Sequence, residues 1–133
     1  MDTISKVKRQ NQKIVTISWD EFDMLMLALV DELKNVKFIL RNIYAIPRGG
    51  YIPAVVLSHK LNLPFVEHRH NITKRTLVVD DIKDSGKTID ALQEYKPQAT
   101  FAYLHNKDNK TTHNEFYVKT ISKDKWVKYP WEQ

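Results

Sequence analysis

Apolar positions change their period along the chain, and the changes divide it into elements. After Ile14-Val15-Thr16-Ile17, Phe22, Leu25, Met26, Leu29 and Leu33 recur at helical spacing. Ser18-Trp19-Asp20-Glu21 reads as a capping box, with Ser18 as N-cap, Glu21 at N3, and Ile17 and Phe22 placed for a hydrophobic staple. The run Met24 to Val30 therefore belongs to a core-facing helix, far short of the roughly 20 residues that span a bilayer. Asn42 to Ile46 is a short strand ended by the turn Pro47-Arg48-Gly49-Gly50, and Tyr51 to Leu61 is a helix with Pro53 tolerated in its first turn. Phe65 to His70 reads as a strand, Leu77-Val78-Val79 as a buried one, Lys87 to Tyr95 as a helix, and Ala99 to Leu104 as another strand. A polar loop, Asn106 to Asn114, precedes a small strand over Phe116 to Ile121. The aromatic tail Trp126 to Glu132 is expected to be tied down.

Strands alternating with helices predict an α/β fold: a single-domain twisted parallel sheet flanked by helices, with a small hood built from the chain ends. At 133 residues one core is the natural expectation, and residues 1–13, polar and basic, read as a loose arm or an edge strand. A hydrophobic content of 42% with 28% charged residues excludes disorder as the expected state. The absence of cysteine excludes disulfides, thiolate metal sites and thiol nucleophiles. No apolar export segment is evident in the first residues, so a cytoplasmic location is expected, with no membrane partner. The formal charge of +5 suits nucleic acid or a phosphorylated small molecule equally. No nucleic-acid module is recognisable, so no nucleic-acid partner is expected.

The chemistry concentrates in residues 77–89. A β-branched run stops at Asp80-Asp81, a turn Ile82-Lys83-Asp84-Ser85-Gly86 follows, and Lys87-Thr88 opens a helix. In open α/β sheets ligands bind at the carboxyl ends of the strands, where this places both carboxylates. A triphosphate P-loop is excluded, because the position five residues before Gly86 that must be glycine is Asp81. Two readings of the turn stay open: an anion cradle of backbone N–H groups and hydroxyls, or an ordinary helix cap by Ser85 or Asp84. Of the paired carboxylates, one suits ribose hydroxyls and the other a hard cation such as Mg²⁺. Asp84, further round the loop, suits a general base or the stabilisation of positive charge on a sugar carbon. His68 and His70 share a strand face on this reading but lack partners for a metal site.

Residues 78–88, Val-Val-Asp-Asp-Ile-Lys-Asp-Ser-Gly-Lys-Thr, resemble the phosphoribosyl-pyrophosphate (PRPP) motif of type I phosphoribosyltransferases, two acidic residues followed by D-[ST]-G-x-T. Further matches in order, Arg48-Gly49-Gly50, Lys107, Trp126-Val127 and Pro130-Trp131, resemble the purine branch of that family. The resemblance implies the type I phosphoribosyltransferase fold and transfer of a phosphoribosyl group from PRPP to N9 of a 6-oxopurine with Mg²⁺. Arg48 and Gly49 would bind pyrophosphate; Asp80 and Asp81 would handle ribose hydroxyls and metal, the metal at Asp81. Ser85, Gly86, Lys87 and Thr88 would wrap the 5′-phosphate, and Asp84 would sit by purine N7 as the catalytic residue. Lys107 would donate to the six-position oxygen, Trp126 would stack on the base, and the Val127 backbone would read its edge. A homodimer or higher homo-oligomer is also implied.

Three departures stand out. Residues 68–75 leave almost no room for the long loop that covers the family's reacting centre, Pro47 replaces a small polar residue, and Lys128 occupies a place where an acidic residue helps read the purine. A nucleotide-binding regulator of the same fold with weak or no catalysis is the alternative.

Overall fold

The computed structural model describes residues 13–133; the arm proposed for residues 1–13 lies outside it except for Lys13. Strands β1 (Lys13–Thr16), β2 (Asn42–Ala45), β3 (Thr76–Val79), β4 (Ile82–Lys83), β5 (Thr100–Asn106), β6 (Glu115–Thr120) and β7 (Lys125–Lys128) alternate with helices α1 (Trp19–Glu32), α2 (Tyr51–Leu61) and α3 (Lys87–Tyr95). Every strand pairing is parallel. This is the α/β architecture expected from the alternation of periods, and α2 and α3 begin and end where the sequence places them.

The main sheet centres on β5, which pairs with β3 and β4 along one edge and β6 along the other, with β2 outside β3. α1 and α2 cover one face: Phe22, Leu25, Met26, Leu29, Ala54 and Leu57 pack with Leu77, Val79, Ala102 and Leu104. Ile89 and Leu92 of α3 cover the other, against Val78, Phe101 and Tyr103. Burial of both faces is the reason the strands read as continuous apolar runs rather than alternating ones. Ser18 caps α1 by accepting from the Glu21 amide at 3.1 Å, and Ile17 and Phe22 are both buried beside it.

The chain ends form the expected hood. β1 pairs with β7, setting Ile14 beside Trp126 and Val15 beside Val127, and the Gln133 side chain donates to the Ile17 carbonyl at 2.9 Å.

Two expectations need correction. Residues 65–70 are not a strand: Phe65 makes a single bridge to Ile43, and Arg69–Asn71 is a 3-10 turn. The Pro64 carbonyl and Val66 amide both bond Ile43, so the segment touches the sheet edge once and then turns away, and His68 and His70 stack their rings at 5.2 Å on that turn. Conversely, the strand ending at Val79 resumes as β4. Both β3 and β4 meet β5 at the same offset, Val79 opposite Ala102 and Ile82 opposite His105, so Asp80 and Asp81 interrupt one strand line rather than close it.

Candidate active site

Parallel strands deliver their carboxyl ends to one edge of a sheet. β2 leads into Arg48 and Gly49, β3 into Asp80 and Asp81, and β5 into Lys107. The first two groups face one cleft of about 830 Å³, lined by Arg48, Gly49, Asp80, Asp81, Trp131 and Glu132 among others. The turn before α2 lies against the acidic residues. A Cβ on Gly50 would sit 2.7 Å from the Ile46 carbonyl, where only glycine fits, and one on Gly49 would sit 2.6 Å from the Asp81 Cγ and force that carboxylate or the turn to move. The Pro47–Arg48 peptide bond is cis.

Each carboxylate of the pair spends one oxygen on the local backbone. Asp80 Oδ1 accepts from the Asp81 amide at 2.8 Å, and Asp81 Oδ1 from the Ile82 amide at 2.7 Å. Burial, then repulsion from Asp81, pushes Asp80 up to about 8; burial raises Asp81 as well, against its hydrogen bonds to Asp80 and Ile82. Two carboxyl groups confined this closely do not both ionise easily.

Asp80 also lines a smaller cavity of about 90 Å³ with Asp84, Ser85, Gly86, Lys87 and Thr88. The ordinary-cap reading of this turn does not hold. The N-cap of α3 is Gly86 at φ +86°, which offers no side chain, and Ser85 Oγ reaches the Lys87 amide only at 3.4 Å. The helix start thus presents backbone donors without a strong side-chain acceptor, an arrangement suited to an anion.

At the other end of the turn, three residues distant in sequence meet. Lys107, buried to 4% exposure, places Nζ 3.7 Å from Asp84 Oδ1 and 6.0 Å from the Trp126 ring centroid. The side chain of Val127 packs into the core, and its strand pairs with β1, Val127 opposite Val15.

Sequence reasoning missed the groups that hold these parts together. Tyr129 is buried and donates its hydroxyl to the Asp81 carbonyl at 3.0 Å, with His105 Nδ1 2.8 Å away. Its ring stacks on Trp131 at 5.0 Å, and Trp131 meets Phe22 edge-on at 5.2 Å, so the tail is fastened to both the acidic strand and the core. The one available signal was the aromatic density of the tail. Lys83, which the sequence places in an open turn, is buried.

Two curated proteins named xanthine-guanine phosphoribosyltransferase, from Gluconobacter oxydans and Chromohalobacter salexigens, are each 30% identical to this chain. They align over 92% and 95% of it and over 87% and 88% of their own lengths. The chain belongs to the xanthine-guanine phosphoribosyltransferase family. Its fold is similar to a purine phosphoribosyltransferase from Pyrococcus horikoshii, with a TM-score of 0.72 and 25% identity over 90% of this chain and 95% of that one. No family model matches the chain. In this phosphoribosyltransferase, no helix among the described residues is long and apolar enough to cross a membrane. The segment between Phe65 and β3 is short and compact: Ile72 is buried, and Thr76 Oγ1 accepts from the Thr73 amide at 2.9 Å.

Proposed function

We propose that the protein transfers the phosphoribosyl group of PRPP to N9 of a 6-oxopurine (guanine, xanthine or hypoxanthine), releasing pyrophosphate and giving a nucleoside monophosphate. The observation that carries this reading is the shared position of Asp80. It lines both the cleft beside Arg48 and the cavity of the phosphate turn, while Asp84 on the same turn pairs with Lys107 next to Trp126. A ligand with pyrophosphate at one end of a ribose and a monophosphate at the other matches two anion sites separated by carboxylates.

In the proposed mechanism the turn amides with Ser85 and Thr88 hold the 5′-phosphate, and Arg48 with the Gly49 backbone holds the departing pyrophosphate. Asp80 and Asp81 accept from the ribose hydroxyls and, together with Asp84, favour the positive charge that develops at the anomeric carbon as the bond to pyrophosphate lengthens. Asp84 takes the proton that the purine loses as N9 bonds that carbon. Lys107 donates to the six-position oxygen, and Trp126 stacks on the ring.

Mg²⁺ fits the acidic pair. The donors are carboxylate oxygens, which a hard cation prefers, and burial together with mutual repulsion leaves the pair short of positive charge. The pair would supply the protein's ligands, with substrate oxygens completing the cation's shell. When bound, the ion supplies charge neutralisation to the leaving pyrophosphate. A homodimer or higher homo-oligomer in the cytoplasm completes the proposal.

Pyrophosphate release with PRPP, Mg²⁺ and each oxopurine in turn tests the assignment. Turnover with any of the three supports transfer. Nucleotide binding with no release in all three overturns it in favour of a binding protein.

A further inference from the structure

One buried ammonium has no part in the reaction just proposed. Lys83, in β4, is 1% exposed, and its Nζ donates to Glu115 Oε1 at 2.6 Å and to the Lys110 carbonyl at 2.8 Å. Asp108 Oδ2 lies 3.5 Å and Asp90 Oδ1 3.7 Å from the same atom. Glu115 is fully engaged in turn. Its Oε1 also accepts from the Tyr103 hydroxyl at 2.9 Å, and its Oε2 from the Thr112 amide at 2.6 Å and the Thr112 hydroxyl at 3.1 Å. A buried charge is tolerated only with this degree of pairing and hydrogen bonding. Burial alone would lower the Lys83 pKa, but Glu115, followed by Asp90 and Asp108, outweighs it and holds the ammonium charged.

The members come from four places, and two of them carry the site. Lys83 and Asp90 flank the phosphate turn on either side, in β4 and α3. Asp108 and Lys110 follow Lys107 in the loop between β5 and β6, and Glu115 begins β6. The turn is in contact with this cluster: a Cβ on Gly86 would lie 2.6 Å from Asp108 Oδ2 and 3.3 Å from Lys83 Cε. The Lys107 amide also donates to the Lys83 carbonyl at 2.9 Å. Both the backbone and the ammonium of Lys83 thus tie the phosphate turn to the loop that presents Lys107.

We propose that the buried Lys83–Glu115 pair is a positioning device. It sets the phosphate turn and the Lys107 loop at a fixed separation, so that one ligand can occupy the phosphate cavity, which Lys83 itself helps to line, and reach the Lys107–Trp126 end together; the paired ammonium and carboxylate act through that separation. The proposal rests on the functional reading above. It predicts that loss of the pair appears in affinity for a nucleoside 5′-monophosphate, which needs both ends, more than for ribose 5-phosphate, which needs only one.

The test is calorimetric binding of guanosine 5′-monophosphate and of ribose 5-phosphate to wild type, Lys83→Met and Glu115→Gln. The last variant keeps the shape of the side chain and an acceptor oxygen, so it serves if Lys83→Met leaves Glu115 charged and unfolds the chain. The expected result is a rise of about tenfold or more in the Kd of the monophosphate, with ribose 5-phosphate changed by less than about threefold. A purely structural role would lower the melting temperature and leave the ratio of the two Kd values as in wild type, and that unchanged ratio in the folded variant overturns the proposal. Failure of wild type to bind either ligand overturns the functional reading first, and this inference with it.

Discussion

Acidification from about pH 8 to about pH 5 perturbs one buried imidazole whose partners are all in view. His105 lies on β5 at 3% exposure, with Nδ1 2.8 Å from the Tyr129 hydroxyl, which donates onward to the Asp81 carbonyl at 3.0 Å. A hydroxyl has one proton, so with that proton on the carbonyl the imidazole is the donor through Nδ1–H. Burial, reinforced by Lys119, pulls its pKa from 6.5 to about 4. A folded value below the unfolded one means that the native state prefers the neutral ring. The associated stability is whole above about pH 6.5 and is lost as the pH falls toward about 4. The full shift corresponds to about 3 kcal/mol, of which about 2 kcal/mol is gone by pH 5. Asp80 and Asp81 act in the opposite sense. Both values are raised, that of Asp80 to about 8, so the native state gains protons before the unfolded chain does as the pH falls, which stabilises it. The raw pH curve therefore mixes two signs, and the comparison with His105→Asn separates them, because that amide keeps a donor toward Tyr129 and does not titrate. Urea unfolding of both proteins at the two pH values should show wild type losing about 2 kcal/mol more than the variant. Equal losses would refute the buried, neutral placement of His105.

Other perturbations address the site directly. Gly49→Ala puts a methyl group 2.7 Å from Asp81 Oδ1, so either the turn or the carboxylate must move; the KM for PRPP should rise about tenfold or more, and an unchanged KM would separate Gly49 from the pyrophosphate site. Asp84→Asn should lower kcat about a hundredfold with KM for PRPP little changed, and equal turnover would remove Asp84 from the chemistry. Trp126→Ala should raise the purine KM about tenfold, corresponding to a stacking loss of about 1–3 kcal/mol, without changing the KM for PRPP; parallel rises in both would point to a collapsed hood instead. Ser18→Ala removes the acceptor for the Glu21 amide at the start of α1 and should cost about 1 kcal/mol in urea unfolding; unchanged stability would remove Ser18 as a cap.

Features set by short-range chemistry were legible in the chain itself. Helices α2 and α3 were readable because turn residues mark their starts and the apolar period changes at their ends. Asp80-Asp81 and the Ser85-to-Thr88 turn stood out because a buried β-branched run ends abruptly at charge, and no local core demands that. Asp84 was marked by its place on the same turn, whereas Lys107, Trp126 and the role of Arg48 came only with the family resemblance. What that resemblance did not contain was their meeting: Lys107 beside both Asp84 and Trp126 requires the parallel pairing of β4 with β5 and of β1 with β7.

Tertiary structure alone decided the remainder. Residues 65–70 have the composition of a strand, yet only Phe65 finds a partner, since the outer edge of β2 offers room for one bridge before the chain turns. Lys83 looks like a solvated turn residue, and nothing near it in sequence announces burial. The strand resumes past Asp80 and Asp81 with its register kept but its facing changed: Leu77, Val79 and then Ile82 pack in the same core. Lys83 consequently falls on the opposite face, where Glu115 and Tyr103 await it. Composition and period report what a residue prefers. Whether a lysine meets water or a carboxylate depends on strands brought together from dozens of residues away, and that contact exists only once the sheet has formed.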